Sequence, residues 1–290
     1  MINNKHKIVF CDIDGTLVND NHYMTEETEK VIKTLVDNGI YFVLTSGKPF
    51  SVIKEFSLKC GAMPYVIGLN GASIHDCNTN EVIYSKSIEK QIVLDIIDFV
   101  KEEEVYVFIG VSSGKTVTEE AKYGFSPKNR KDITIVKSLR EYVEGSTSEQ
   151  LLKITIFEPS KKKLAGIGEK IREKFDLNIT PAYLHVVPER FKEEKDKELH
   201  NPYVIEIMDK KVSKAEAIKE LTKYLDIKLS ETVAIGDETK DYDMLAIADY
   251  KIAMANATQE LKDIADMVTT SNNESGVAKA MHKLFFEGST

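Results

Sequence analysis

Lys7-Ile-Val-Phe-Cys11, followed directly by Asp12-Ile-Asp14-Gly15-Thr16, is the stretch of sequence that decides the fold. Its first half is a short apolar run of β-forming residues, and its second half is acidic and contains a glycine. Such a run is typical of a buried parallel strand that ends in a loop. Loops at the carboxyl ends of parallel strands often carry the chemistry of α/β proteins. We therefore expect a buried strand with a functional loop at its end.

The residues after this strand have the pattern of a helix and then a second strand. Thr25 can cap a helix that Gly39 ends, and the apolar positions between them recur at helical spacing. Residues 40–44 then read as another buried strand. Strand, helix and strand in this order require a right-handed crossover and give a parallel sheet with helices on its faces. The predicted fold class is α/β, with a doubly wound parallel sheet.

The same pattern returns near the end of the chain. Ser213 and Glu216 have the spacing of a capping box and open a predicted helix that extends to Leu225. Strands are predicted at residues 232–235 and 250–254, and a helix at residues 276–286. These segments supply the second half of the α/β sheet.

The middle of the chain has a different order of elements. Helical patterns cover residues 88–103 and 160–175, and strand patterns cover 105–111, 133–136, 153–157 and 203–208. This mixed order predicts a separate α+β domain inserted into the α/β domain. We place the core domain at residues 1–84 and 210–290, and the inserted α+β cap domain at residues 85–209.

Composition excludes several classes of partner. The net charge of −8 over 290 residues gives no basic footprint for nucleic acid. No stretch approaches the ~20 apolar residues of a membrane span or forms the core of a signal peptide. Cys11, Cys60 and Cys77 lack the spacing of a disulfide framework or a zinc site. We expect a cytoplasmic protein without nucleic-acid or membrane partners, and the sequence leaves its oligomeric state open.

Two carboxylates stand at the end of the first predicted strand. If the backbone stays extended, Asp12 and Asp14 point the same way. Two such groups repel each other unless a cation lies between them or one of them holds a proton. The pair therefore indicates a hard metal ion with oxygen ligands or an acid/base pair, while an acidic turn is the alternative without function.

A second acidic cluster weakens the turn alternative. Gly236-Asp237-Glu238 follows another apolar strand, and Asp241 and Asp243 come shortly after it. Acidic clusters at strand ends converge at one edge of a parallel sheet. A shared site for metal or acid/base chemistry is therefore predicted at that edge.

The ordered set of motifs resembles that of the haloacid dehalogenase superfamily of phosphatases, in the branch often named the Cof type. Each motif is matched in order: Asp12-Ile-Asp14-Gly15-Thr16 (DxDGT), Ser46-Gly47-Lys48-Pro49 (TGRP), Asn70-Gly71-Ala72 (NGA), Val212-Ser213-Lys214, Gly236-Asp237 through Asp241 with Met244-Leu245 (GDxxND and ML), and Met254-Ala-Asn256-Ala257. The resemblance covers both predicted core segments, about half of the chain. Any one motif is weak, but the ordered set is specific.

The resemblance implies a role for each residue of the predicted site. Asp12 is the nucleophile that attacks phosphorus, and Asp14 protonates the leaving oxygen and later activates water. The implied phosphate-binding residues are Ser46, Gly47, Asn70, Lys214 and Lys240. The implied cofactor is magnesium (Mg2+), held by Asp12, the backbone carbonyl of Asp14 and Asp237, with Asp241 beside them. Lys214 stands in the first turn of its helix, where an ammonium group opposes the helix dipole, and this also favours a functional role.

Two residues depart from the family pattern. Lys48 stands where the family often has arginine, so a point charge replaces a planar fork of donors. Lys240 stands where the family usually has asparagine, and its ammonium group could bind phosphate or point into solvent. These changes leave the aspartates in place but bear on efficiency and substrate choice.

The function that we expect is hydrolysis of a small phosphorylated metabolite, such as a sugar phosphate, through an aspartyl-phosphate intermediate. One alternative is a phosphomutase, which would return the phosphoryl group from Asp12 to an acceptor other than water. Another is a non-catalytic regulatory protein that binds phosphate or metal, or that uses Asp12 as a phosphorylatable switch. The sequence does not separate these possibilities.

Overall fold

The computed structural model describes residues 5–62, 64–103, 105–119, 132–183 and 203–287. The chain forms two compact units, Met1–Tyr84 with Ser213–Thr290 and Ser85–Val212. The second unit ends slightly beyond residue 209, where the sequence pattern placed the boundary.

Strands and helices alternate along most of the described chain. The strands are β1 (Ile8–Asp12), β2 (Tyr41–Thr45), β3 (Tyr65–Gly68), β4 (Ser73–Asp76), β5 (Val82–Ser85), β6 (Tyr106–Val111), β7 (Thr116–Glu119), β8 (Ile133–Val136), β9 (Leu151–Glu158), β10 (Leu177–Tyr183), β11 (Tyr203–Asp209), β12 (Thr232–Gly236), β13 (Tyr250–Ala253) and β14 (Met267–Val268). The helices are α1 (Glu26–Asp37), α2 (Phe50–Cys60), α3 (Lys90–Glu102), α4 (Leu139–Gly145), α5 (Lys161–Lys174), α6 (Lys214–Tyr224), α7 (Tyr242–Ile247), α8 (Gln259–Ile264) and α9 (Gly276–Met281). Single turns of 3-10 helix lie at Leu69–Gly71, Leu229–Glu231, Thr239–Asp241 and Asn272–Glu274, and a π-helical segment follows α9 at His282–Phe286.

The first unit contains an eight-stranded sheet with the order β14-β13-β12-β1-β2-β3-β4-β5. β1 pairs in parallel with β12 on one side and with β2 on the other. All five residues of β1 are buried, which explains its unbroken apolar run, since a central parallel strand is covered on both faces. β12 also pairs in parallel with β13, and β2 with β3, whereas β3 and β4 are antiparallel. The predicted α/β fold class is confirmed.

This topology brings two acidic strand ends together. Asp12 is the last residue of β1, and Asp237 directly follows β12. Because β1 and β12 are parallel neighbours, their carboxyl ends lie at the same edge of the sheet. The sheet core beneath them is apolar and fully buried, with Phe10, Phe42 and Ile235 among its members.

Two helix starts in this unit show how local sequence sets the boundaries. Thr25 accepts a hydrogen bond from the backbone N–H of Thr28 and caps α1, as its residue type predicts. Ser213 accepts one from the backbone N–H of Glu216 at 3.1 Å and caps α6. The side chain of Glu216 pairs with Lys219. Only the serine half of the predicted capping box is therefore observed.

The second unit is built on a six-stranded sheet with the order β10-β11-β9-β6-β7-β8. Its pairs are antiparallel except for β7 and β8, which run in parallel. Apolar residues of α3 and α5, such as Ile96 and Ile167, share a core with Ile154 and Ile207 of the sheet. Within the described parts of both units, no helix combines the length and the apolar character that a bilayer crossing requires.

Candidate active site

Asp12, the last residue of β1, lies close to the acidic residues that follow β12. It is 1% exposed, and its Oδ1 accepts a hydrogen bond from Lys214 Nζ at 2.5 Å. Its Oδ2 is also buried and makes no hydrogen bond to any residue that the structure describes. Burial would raise the pKa of Asp12, but the charges of Lys214, Lys240 and Lys48 bring that pKa below its ordinary value. Asp12 is therefore an ionised carboxylate with one oxygen available to a ligand.

Lys214 is the first residue of α6 and is almost fully buried. Its ammonium group lies between two carboxylates, 2.5 Å from Asp12 Oδ1 and 2.6 Å from Asp241 Oδ1. Burial would lower the pKa of Lys214, but the two carboxylates raise it above its ordinary value. Their negative charge also offsets the unfavourable position of an ammonium group at a helix N-terminus. Lys214 is thus a fixed positive charge beside Asp12.

Asp241 closes the single 3-10 turn after β12. Its Oδ2 accepts the backbone N–H groups of Asp237 and Glu238, each at 3.1 Å, while its Oδ1 accepts from Lys214. Burial and the charge of Asp12 raise the pKa of Asp241. Asp241 therefore joins the loop after β12 to the first residue of α6.

Asp237 is buried and faces the loop after β1. Its Oδ1 accepts a hydrogen bond from Thr16 Oγ1 at 2.6 Å. Burial, followed by the charge of Asp12, raises the pKa of Asp237 to about 8. The Asp237 carboxyl is therefore held mainly by burial, and next by the neighbouring Asp12, in an environment that disfavours its ionised form.

These carboxylates fit a divalent cation. Asp12, Asp237 and Asp241 each offer an oxygen atom, and the three oxygens lie within 4.8 Å of one another. Asp12 Oδ2 has no hydrogen-bond partner among the described residues, and burial together with the charge of Asp12 raises the pKa of Asp237. Hard cations such as Mg2+ prefer oxygen ligands of this kind. The donor set is therefore suited to a divalent metal ion.

The carboxylate of Asp14, in contrast, is not part of this cluster. Its Oδ2 contacts Lys48 Nζ, and its Oδ1 lies 3.8 Å from His22 Nδ1. Its side chain is mostly but not fully buried, with 15% of its surface exposed. Of the four residues predicted to hold metal, three bring their side chains together, and Asp14 directs its carboxylate to two basic residues instead.

The predicted phosphate-binding residues in the loops after β2 and β3 lie in contact with one another. The backbone N–H of Asn70 donates to the carbonyl of Ser46 at 3.0 Å. Ser46 Oγ accepts the backbone N–H of Lys48 at 3.2 Å. A β-carbon at Gly47 would lie 2.9 Å from Asn70 Oδ1, so the Asn70 side chain rests on this glycine. The loops after β2 and β3 therefore form one continuous surface.

Lys240 takes up a third basic position near Asp12. Its Nζ lies 3.0 Å from Glu238 Oε2, and its side chain is 38% exposed. Burial would lower the pKa of Lys240, but Asp12, Asp241 and Glu238 raise it above its ordinary value. The side chain is therefore paired with Glu238 at the rim of the site, and its predicted contact with phosphate stays a prediction.

Two residues for which the sequence predicts no individual role, Asp243 and Asn256, organise this site. Asp243 Oδ2 accepts the backbone N–H of Ala215 at 3.1 Å and so fixes the first turn of α6. Asn256 Nδ2 donates to the carbonyl of Gly15 at 2.8 Å. Asn256 lies in one of the sequence motifs and Asp243 lies between two, but their contacts join separate parts of the chain and leave no local signal.

The chain is similar to known hydrolases over almost its whole length. A family model described as haloacid dehalogenase-like hydrolase matches residues 9–281. Phosphatase YwpJ of Bacillus subtilis is 28% identical over 302 positions, covering 96% of this chain and 99% of the relative. The 5-amino-6-(5-phospho-D-ribitylamino)uracil phosphatase YcsE of the same organism is 25% identical over 281 positions, covering 95% of this chain and 94% of the relative.

A solved structure shows the same architecture. The structure of a haloacid dehalogenase-like hydrolase from B. subtilis aligns with a TM-score of 0.77 and 26% identity, covering 96% of this chain and 99% of that chain. The resemblance seen in the sequence motifs is confirmed. The chain belongs to the haloacid dehalogenase-like hydrolase family.

Proposed function

We propose that this hydrolase is a Mg2+-dependent phosphatase that releases phosphate from small phosphomonoesters, above all sugar phosphates, through an aspartyl-phosphate on Asp12. The names of its relatives support this proposal. YwpJ is a phosphatase, and the substrate in the name of YcsE carries its phosphate on a ribityl chain. A phosphorylated metabolite of similar size is the substrate class that we assign.

The observation that carries the proposal is the environment of Asp12. Its carboxylate is ionised, buried and tied at Oδ1 to Lys214, while Oδ2 makes no hydrogen bond to the described residues. A carboxylate nucleophile that forms a covalent intermediate divides one difficult displacement into two easier steps. Lys214 keeps this nucleophile ionised and carries positive charge toward an incoming phosphate.

In the first step, an oxygen of Asp12 forms a bond to phosphorus, and the ester bond from phosphorus to the leaving oxygen breaks. Asp14 gives its proton to that leaving oxygen, so the alcohol departs neutral. In the second step, Asp14 takes a proton from water, and the water oxygen forms a bond to phosphorus. The bond between phosphorus and Asp12 then breaks, which releases inorganic phosphate and restores the carboxylate.

The phosphate would be held by the basic and polar groups around Asp12. Lys214 is the nearest positive charge, and Lys240 supplies a second one from the rim. Ser46, Gly47 and Asn70 would supply hydroxyl, backbone and amide donors. Fixed donors of this kind stabilise charge that develops on the transferred group.

Asp12, Asp237 and the backbone carbonyl of Asp14 are the groups that would hold Mg2+, with Asp241 beside them. When bound, the ion offsets the repulsion between a carboxylate nucleophile and a phosphate dianion. A cytoplasmic location belongs to the same proposal. It is supported by the three buried free cysteines, which suit a reducing compartment.

The test is phosphate release from a panel of sugar phosphates, nucleotides and an aryl phosphate, with Mg2+ or with a chelator. We expect release that needs the metal and that Asp12→Asn abolishes, while the exposed α8 variant Asp263→Asn retains wild-type activity. Release that persists in Asp12→Asn would refute the nucleophile. Conversion of one sugar phosphate isomer to another without free phosphate would identify a phosphomutase, and binding without turnover would identify a regulatory protein.

A further inference from the structure

We infer that Asn256 is a positioning residue that orients the carboxylate of Asp237 and the loop after β1, and that it thereby sets the affinity of the site for a divalent cation. This inference rests on the metal site of the proposed function. It concerns a residue outside the acidic cluster itself, on the loop that follows β13.

The first support is the pair of contacts made by the amide of Asn256. Its Nδ2 donates to the carbonyl of Gly15 at 2.8 Å and lies 3.5 Å from Asp237 Oδ2. One amide group therefore touches both the loop that carries Asp14 and the carboxylate that follows β12. A single side chain links the two strand ends that form the site.

The second support is the tight fit of Asp237 against the loop after β1. Gly15 has φ +77°, and a β-carbon at this position would overlap Asp237 Oδ2. Thr16 donates to the other oxygen, Asp237 Oδ1. Asp237 is thus enclosed by Thr16 at one oxygen and by Gly15 and Asn256 at the other, and its carboxylate has one orientation.

The third support is that the amide of Asn256 is itself held in place. Its Oδ1 accepts the backbone N–H of Asn272 at 3.1 Å, so Nδ2 must face Gly15. Asn272 is only 6% exposed, and its own Nδ2 donates to the carbonyl of Val18 and to Asp20 Oδ1. A chain of amides therefore ties Asn256 to the far end of the same loop.

This arrangement predicts an effect on metal affinity. A ligating carboxylate binds well when its partners hold it in the right orientation, and loss of such a partner typically weakens metal binding by about 10–100-fold. Without Asn256, Asp237 Oδ2 and the carbonyl of Gly15 lose their common donor. Both groups gain freedom to rotate, and the cation must order them again when it binds.

The experiment is calorimetric titration of Mg2+, and of Mn2+ as a tighter probe, into metal-free protein. The variants are Asn256→Ala and Asn256→Leu, the second of which keeps the side-chain volume but has no donor. The control is Asn273→Ala, because Asn273 binds Asp20 in the same region without a contact to Asp237. Thermal unfolding of the metal-free proteins monitors the fold.

We expect both Asn256 variants to weaken metal binding about tenfold or more, with Asn273→Ala close to wild type. In phosphate-release assays, added metal should restore most of the kcat of the Asn256 variants. Unchanged metal affinity in both variants, equal weakening by Asn273→Ala, or a wild-type protein that binds no divalent cation would overturn the inference. Because calorimetry needs no substrate, a protein whose metal affinity depends on Asn256 but that hydrolyses nothing would refute only the proposed function.

Discussion

The ammonium group of Lys214 lies 2.5 Å from the carboxylate of Asp12, and each side chain is only 1% exposed. Two opposite charges so deeply buried depend on each other, because burial removes both from bulk water. Lys214 also contacts Asp241, so one ammonium group joins the strand end of β1 to the turn after β12. The same lysine therefore contributes to the fold and keeps the carboxylate of Asp12 ionised.

Replacement of this lysine should damage both stability and activity. In Lys214→Met, Asp12 and Asp241 remain buried without their cation, and breaking a buried pair in this way typically costs about 3–5 kcal/mol. We expect this loss in the free energy of unfolding, measured with urea, together with loss of nearly all phosphatase activity. Lys219→Met, on the exposed side of α6, is the matched control and should leave both quantities unchanged. A fully active Lys214→Met would contradict the role of this lysine.

Much of this site could be predicted because its residues follow recognisable local patterns. The apolar runs before Asp12 and Asp237 indicate buried parallel strands, and neighbouring strands of that kind place their end residues at one edge. Lys214 was conspicuous because a lysine at a helix start is unfavourable unless anions lie nearby. The structure supplies those anions, Asp12 and Asp241.

What could not be predicted depends on contacts between distant segments. Thr16 and Asp237 form a hydrogen bond across 221 positions, and Asn256 reaches Gly15 across 241. No periodicity or spacing encodes such a pair, since it arises only when the strands are assembled. The direction of the Asp14 carboxylate has the same origin, because the backbone turns at Gly15 and Lys48 comes from the loop after β2. Extended backbone alone would have kept Asp14 beside Asp12.

Lys48 should position the carboxylate of Asp14. Because its ammonium group contacts Asp14 Oδ2, Lys48→Met leaves that carboxylate free to turn toward solvent. If Asp14 is the proposed general acid, we expect kcat for phosphate release to fall about 100-fold, the loss that a misplacement of about 1 Å can cause. Lys48→Arg keeps the charge and should retain most of the activity.

Steady-state kinetics of these two variants provide the measurement, with Lys54→Met on α2 as the control. A rise in KM with kcat unchanged would mean that Lys48 binds substrate without positioning Asp14.

Asp237 should make the stability of the metal-free protein depend on pH. Its pKa is about 8 in the folded protein and near the ordinary value of 3.8 when unfolded. The folded state therefore holds an extra proton between these values, so this contribution to stability is complete at low pH and is lost as pH rises toward 8. From about pH 6 to about pH 8, we expect the free energy of unfolding to fall by roughly 2 kcal/mol.

Urea unfolding of metal-free protein at the two pH values measures this slope, the change in the free energy of unfolding with pH. Asp237→Asn, which cannot titrate, should remove it, and saturating Mg2+ should also remove it by holding the carboxylate ionised. An equal slope in Asp237→Asn would show that another group titrates.

Gly71 should be required for the position of Lys214. Leu69, Asn70 and Gly71 all have positive φ, and a β-carbon at Gly71 would overlap the carbonyl oxygen of Ser213 at the start of α6. Gly71→Ala should therefore push α6 away from Asp12, lowering both the unfolding temperature and kcat. Gly61→Ala is the matched control, because Gly61 has φ +69° but no atom within 4 Å of the added carbon. It should cost only the left-handed backbone penalty of about 1 kcal/mol and leave kcat unchanged. If the two variants lose the same stability and both keep full activity, the contact of Gly71 with Ser213 does not position the lysine.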